Sequence, residues 1–194
     1  MKRILLTIAL LFGMFAFGAC EPSPGRIAVT GDSITFNAGY DGSTFINAAD
    51  TGGKVVIGGR ASDTLARVQA DVNNSATSPQ CLVIAFGQNE AGNDGVLTQD
   101  EKNAMYALTF AAHSSARVVW IKPHRVFGPA NVMAALEEVR TTIDILVAAR
   151  PNTAVLDWRE RFAPGDIHID GIHLNYGVGA GQKYGEMMRE GCSA

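Results

Sequence analysis

Two short stretches carry side chains able to do nucleophilic and acid–base chemistry. "GDSI" presents Ser33 directly after an apolar run, and "DIHIDGIHLN" gathers Asp166, His168, Asp170 and His173 near the other end of the chain. A serine hydroxyl is a weak nucleophile until an adjacent base takes its proton, so Ser33 needs a histidine. That histidine needs a carboxylate to fix its tautomer and stabilise the imidazolium. Asp170 and His173 are three apart, which puts both on one side of a helical turn or tight loop. Charge developing on a carbonyl oxygen needs donors aimed at it: backbone N–H groups at glycine turns and a side-chain amide. Ser33 and Gly59 are the candidates for the first, and Asn89 in "GQNE" for the second.

Elements far apart in the chain have to bring these residues together. Five short apolar or β-branched runs bounded by Gly, Pro or polar residues read as strands: Arg26–Thr30, Lys54–Ile57, Cys81–Phe86, Ala116–Ile121 and Thr153–Leu156. Helical patterns lie between most of them. Leu65, Val68 and Val72 form one stripe, and Thr98 to Glu101 is a capping box ahead of Met105, Leu108 and Ala112. Val132, Leu136, Val139, Ile143 and Leu146 step by four and three. A last helix is expected over Gly179 to Arg189. Alternating strands and helices predict an α/β fold, a flavodoxin-like three-layer α/β/α sandwich with a five-stranded, mostly parallel sheet. In such sheets ligands bind outside the carboxyl ends of the strands. Those ends deliver Gly31-Asp32-Ser33, Gly58-Gly59-Arg60, Gly87 to Glu90, Lys122 to Arg125 and, beyond the fifth strand, His168, Asp170 and His173.

Composition and the leader bound what this domain is for. At 194 residues, with 47% apolar residues and 21 glycines, the chain suits one packed domain. Residues 1–19 read as an export signal: a basic start at Lys2-Arg3, then an apolar run from Ile4 to Phe17 too short to span a bilayer comfortably. Without Lys2 and Arg3, 14 basic residues face 19 acidic ones, a net charge of −5. This excludes neither small substrates nor sugars, but argues against nucleic acid and a polybasic membrane surface. Gly18-Ala19 before Cys20 resembles the processing site of bacterial lipoproteins, which would make Cys20 a lipidated N-terminus, although Phe17 stands where a Leu-like residue is usual. Ordinary cleavage near Gly18 is the alternative, giving a soluble periplasmic or secreted protein. Residues 20–25 then form a tether, and 26–194 the folded domain. Cys81 reads as a small buried residue and Cys192 as part of a fraying terminus; a disulfide between them is open at this stage.

Taken together, Ser33 in "GDSI", Gly59 in "GGRAS", Asn89 in "GQNE" and His173 in "DGIH" resemble the four blocks of the SGNH (GDSL-type) hydrolases. The likeness runs from Arg26 to about Tyr184, with the blocks in family order. It implies a cofactor-free serine esterase: Ser33 attacks an acyl carbonyl, His173 is the base, Asp170 orients it, and Ser33, Gly59 and Asn89 form the oxyanion hole. Short-chain or O-acetyl esters are the expected substrates, since the chain has no room for a large lid. Acyl transfer to a carbohydrate acceptor would use the same residues. Three departures stand out: Glu90 where the family has Asp, a loose second block, and Leu174 where Pro usually follows the final His.

Other residues on the rim admit further readings. Lys122, His124 and Arg125 are candidates for contacting an acidic or carbohydrate substrate, and His168 reads as an exposed loop histidine. Asp166, His168, Asp170 and His173 offer N and O donors for a metal-dependent hydrolase, but match no fixed ligand spacing and leave Ser33, Gly59 and Asn89 without a purpose. A non-catalytic envelope protein that binds a glycan or partner is a third reading, against which stands a filled set of catalytic positions. No phosphate-cradling glycine motif follows the first strand, which argues against nucleotide binding.

Overall fold

The computed structural model describes residues 26–40, 55–74, 78–92 and 95–193. The export segment, Cys20, the tether and most of the Asn37–Asp50 connection lie outside them. The five expected strands form one sheet: β1 (Ile27–Gly31), β2 (Val55–Ile57), β3 (Cys81–Ala85), β4 (Arg117–Lys122) and β5 (Thr153–Asp157). Their order is β2-β1-β3-β4-β5 and every pairing is parallel, so the sheet is parallel throughout. The helices are α1 (Ser33–Tyr40), α2 (Ala61–Asn73), α3 (Gln88–Gly92), α4 (Gln99–Thr109), α5 (Ala130–Ala149), α6 (Trp158–Arg161) and α7 (Ala180–Ser193).

Alternation along the strands explains the layers. Successive side chains of a strand point to opposite faces. Ala28, Leu82, Ile84, Val118 and Trp120 therefore pack with Val68, Met105, Leu108, Leu136, Val139 and Ile143 on one face. Ile27, Val29, Val83, Val119 and Ile121 pack with Ile34, Trp158, Tyr184, Met187 and Met188 on the other. Both faces are covered, as a parallel sheet requires. The result is a three-layer α/β/α sandwich.

Local chemistry sets the element ends. Thr98 Oγ1 accepts the Glu101 N–H at 3.3 Å while Glu101 Oε2 accepts the Thr98 N–H at 2.8 Å, the reciprocal cap read from the sequence. The last helix runs four residues past the expected Arg189 and takes Cys192 with it. Cys192 is thus not part of a frayed end: it is disulfide-bonded to Cys81 at the start of β3, with Cα atoms 5.7 Å apart. This bond fastens α7 to the sheet at the end opposite the strand-end residues.

Candidate active site

The pieces come from the segments after β1, β2 and β3 and from the chain beyond β5. After β1 the chain turns sharply into α1, and Gly31 makes the turn: a Cβ there would lie 2.1 Å from Thr35 Oγ1 and 3.0 Å from the Ala85 carbonyl. The turn leaves Ser33 exposed at the first position of α1 while Asp32 and Ile34 on either side are buried. A helix start suits a serine whose N–H is to face negative charge. Asp32 Oδ1 accepts the Ile34 N–H at 3.0 Å, fixing the corner. Burial, with Glu90 nearby, pushes the Asp32 carboxyl up to about 7 against the hydrogen bond from Ile34.

The segment from Asp166 to Asn175 folds into a small hairpin, one of the two arrangements the spacing of Asp170 and His173 allows. Ile167 and Leu174 form an antiparallel bridge, flanked by Asn175 N–H to Asp166 O at 2.7 Å and His168 N–H to His173 O at 2.8 Å. Leu174 occupies a pair whose own N–H is not in the ladder. A proline would therefore be tolerated there, and the leucine instead adds a buried side chain to the core. The tip closes with the Gly171 N–H donating to His168 O at 2.8 Å. Gly171 has φ of 71°, and a Cβ on it would strike the Phe127 ring at 2.7 Å.

This hairpin holds Asp170 and His173 against Ser33. Ser33 Oγ lies 3.2 Å from His173 Nε2, and His173 Nδ1 lies 2.8 Å from Asp170 Oδ2. Asp170 Oδ1 accepts the N–H groups of Ile172 at 2.8 Å and His173 at 2.9 Å. Burial raises the Asp170 carboxyl, but these N–H groups and the His173 imidazole outweigh it and hold the group well below the usual carboxylate range. An ionised Asp170 accepts, so His173 Nδ1 carries the proton and its Nε2 lone pair faces the Ser33 hydroxyl.

Although β1 lies between β2 and β3 in the sheet, the segments that follow these two strands touch. Asn89 Nδ2 donates to the Gly59 carbonyl at 2.6 Å, joining the start of α3 to the turn before α2. Gly58 extends the sheet ladder with its N–H on Gly31 O at 3.1 Å. Glu90 reaches across the same gap, and its Oε1 accepts the Ala61 N–H at 2.8 Å. The longer glutamate thus anchors the first turn of α2 from α3. Sequence reasoning noted Glu90 only as a departure; the signal for its role was its place beside Asn89, at a strand end.

The remaining rim residues are not all gathered there. Lys122 pairs with Asp144 of α5 at 2.6 Å, turned towards that helix. His124 is half-buried, and burial with the Arg140 and Arg159 charges lowers its proton affinity. Its carbonyl accepts from Gln88 Nε2. Arg125 precedes Val126, whose N–H donates to Gly171 O at 2.9 Å at the hairpin tip. Asp166 is buried at the hairpin root and bonds Lys183 Nζ at 2.8 Å, apart from the His173 ring. His168 sits beside Asp170, its Nδ1 3.3 Å from Oδ2. Among the described residues no group of three or more His, Cys, Asp or Glu side chains is arranged to hold a metal ion. Trp120 and Trp158 are buried in the two cores.

The same architecture recurs in solved structures. A lipase/acylhydrolase from Enterococcus faecalis is 23% identical with a TM-score of 0.65, over 87% of this chain and 95% of that one. A GDSL-like lipase from Bacteroides thetaiotaomicron is 16% identical with a TM-score of 0.65, over 87% and 88%. The C-terminal catalytic domain of peptidoglycan O-acetyltransferase A from Streptococcus pneumoniae is 16% identical with a TM-score of 0.61, over 86% and 92%. The chain has the SGNH-type hydrolase fold. No family profile matches the sequence, and no curated protein matches it.

Proposed function

We propose that this protein is a serine esterase that hydrolyses short-chain or O-acetyl esters through an acyl-enzyme. The observation that carries the reading is the continuous hydrogen-bonded series from Ser33 Oγ through His173 to Asp170. Ser33 Oγ attacks the ester carbonyl as its proton passes to His173 Nε2. The tetrahedral oxyanion is met by the Ser33 and Gly59 N–H groups and the Asn89 amide. The alcohol leaves with the proton from His173, and water then repeats the sequence on the acyl-enzyme, returning free Ser33 and the acid. Asp170 stays ionised and holds His173 in the required tautomer.

The exposure of Ser33 and Gly59 supports small acyl groups presented from an open surface. Transfer to a sugar hydroxyl would replace only the acceptor, and one fold neighbour is a peptidoglycan O-acetyltransferase. Export through residues 1–19, with Cys20 lipidated, would put the enzyme in the cell envelope. The Cys81–Cys192 disulfide favours such an oxidising compartment.

Hydrolysis of p-nitrophenyl acetate and butyrate by the chain from Glu21 onward tests the reading. The Ser33→Ala variant is expected to lose at least about 10⁴-fold in kcat, while EDTA leaves activity unchanged and acetate is preferred to butyrate. Activity indifferent to Ser33→Ala would overturn it.

A further inference from the structure

The geometry points to His168 as a second imidazole on Asp170, a positioning residue that sets how readily His173 takes a proton. This rests on the proposed role of His173 as the base. The hairpin places residues 168 and 173 opposite one another, with the His168 N–H on the His173 carbonyl at 2.8 Å. Asp170 Oδ1 is occupied by the N–H groups of Ile172 and His173 at 2.8 and 2.9 Å. Both rings therefore converge on Oδ2, His173 Nδ1 at 2.8 Å and His168 Nδ1 at 3.3 Å.

His168 Nδ1 has two partners, and they suit different protonation states. The Asp170 N–H lies 3.5 Å from it, a donor that a neutral imidazole protonated on Nε2 would meet. Asp170 Oδ2 is an acceptor, which a protonated His168 would meet instead. In the charged state His168 draws on the same oxygen as His173 and sets a positive charge beside it. Both effects oppose a proton on His173 Nε2, so the base stays free to lower pH but is weaker while it does so. Other charged and titratable groups around the hairpin are His124 and Arg125 in the loop that bonds its tip, and the Asp166–Lys183 pair at its root. Asp170 Oδ2 touches both rings.

The test is a titration of the His173 ring by NMR in the wild type, His168→Gln and His168→Arg, beside the pH dependence of kcat/KM. The His168 side chain is 54% exposed, and the hairpin bonds it joins are made by backbone, so both variants keep the fold. The Arg variant carries a fixed charge and the Gln variant none. The expected order of His173 midpoints is Gln above wild type above Arg, with about half a pH unit between the extremes, the size two unit charges exert across two hydrogen-bond lengths at an exposed site. The acid limb of kcat/KM is expected to follow the same order. Coincident midpoints in all three proteins, or the reverse order, would overturn the inference. Because the ring titration needs no turnover, an inactive or Ser33-independent protein would refute the esterase reading and leave this one to be judged by the midpoints.

Discussion

Replacing Asp32 with Asn measures what the fold gives up to keep an acid beneath the turn that carries Ser33. Asp32 is 2% exposed, and burial raises its carboxyl from 3.8 to about 7. Between those values the native chain holds a proton that the unfolded chain has released. Stability therefore falls as pH rises through this window, is unaffected by Asp32 well below 3.8, and suffers the full loss above about 7. A shift of about three units, at 1.36 kcal/mol each, amounts to about 4 kcal/mol at pH 8 and under about 2 kcal/mol at pH 5. Asn is neutral throughout and keeps an oxygen for the Ile34 N–H now accepted at 3.0 Å.

Urea unfolding of wild type and Asp32→Asn at pH 5, 6.5 and 8 supplies the check. The variant is expected to gain stability over the wild type as pH rises, by about 2–3 kcal/mol between pH 5 and pH 8. The carboxyls of Asp157, Asp166 and Asp170 are held below their ordinary range, so the stability they contribute is lost only at more acidic pH. Both proteins share them, and their effect cancels. A difference that does not change with pH, or an Asn variant less stable at pH 8, would refute the argument.

Two further outcomes follow from the geometry. Cys192→Ser opens a disulfide that closes 111 residues, and the chain-entropy relation gives a loss of about 4–5 kcal/mol, read as a lower urea midpoint matched by the reduced wild type. Asn89→Ala removes one proposed oxyanion donor and is expected to lower kcat by about 10²–10³ with little change in KM, measured on p-nitrophenyl acetate; a change confined to KM would assign Asn89 to ground-state binding.

What was legible in the sequence was what parallel topology collects. Short apolar runs between Gly, Pro and polar residues mark buried strands, and the expected bounds differ from the observed ones by a residue or so. Because every strand runs the same way, residues at the carboxyl ends meet on one rim, which is why Ser33, Gly59, Asn89 and His173 were readable as a group. Pairings between distant elements were not readable, since a charge carries no mark of its partner. Lys122 has a rim position by sequence, and its pairing with Asp144 turns it towards α5. Arg140 makes the same point from within a recognised element. It lies one turn after Leu136 on the apolar stripe of α5 and is buried, where a helical pattern alone would forbid a cation. Its guanidinium donates from Nη1 to the Pro123 carbonyl at 2.6 Å and pairs through Nη2 with Asp157 at the end of β5, while the buried Nε, 3.7 Å from Glu137, makes no hydrogen bond. Those contacts tie the segment after β4 to α5 and β5, and that segment leads through Val126 to the hairpin tip. The stripe of α5 thus covers the sheet and also anchors the loop that braces Asp170 and His173, a second purpose that periodicity could not carry.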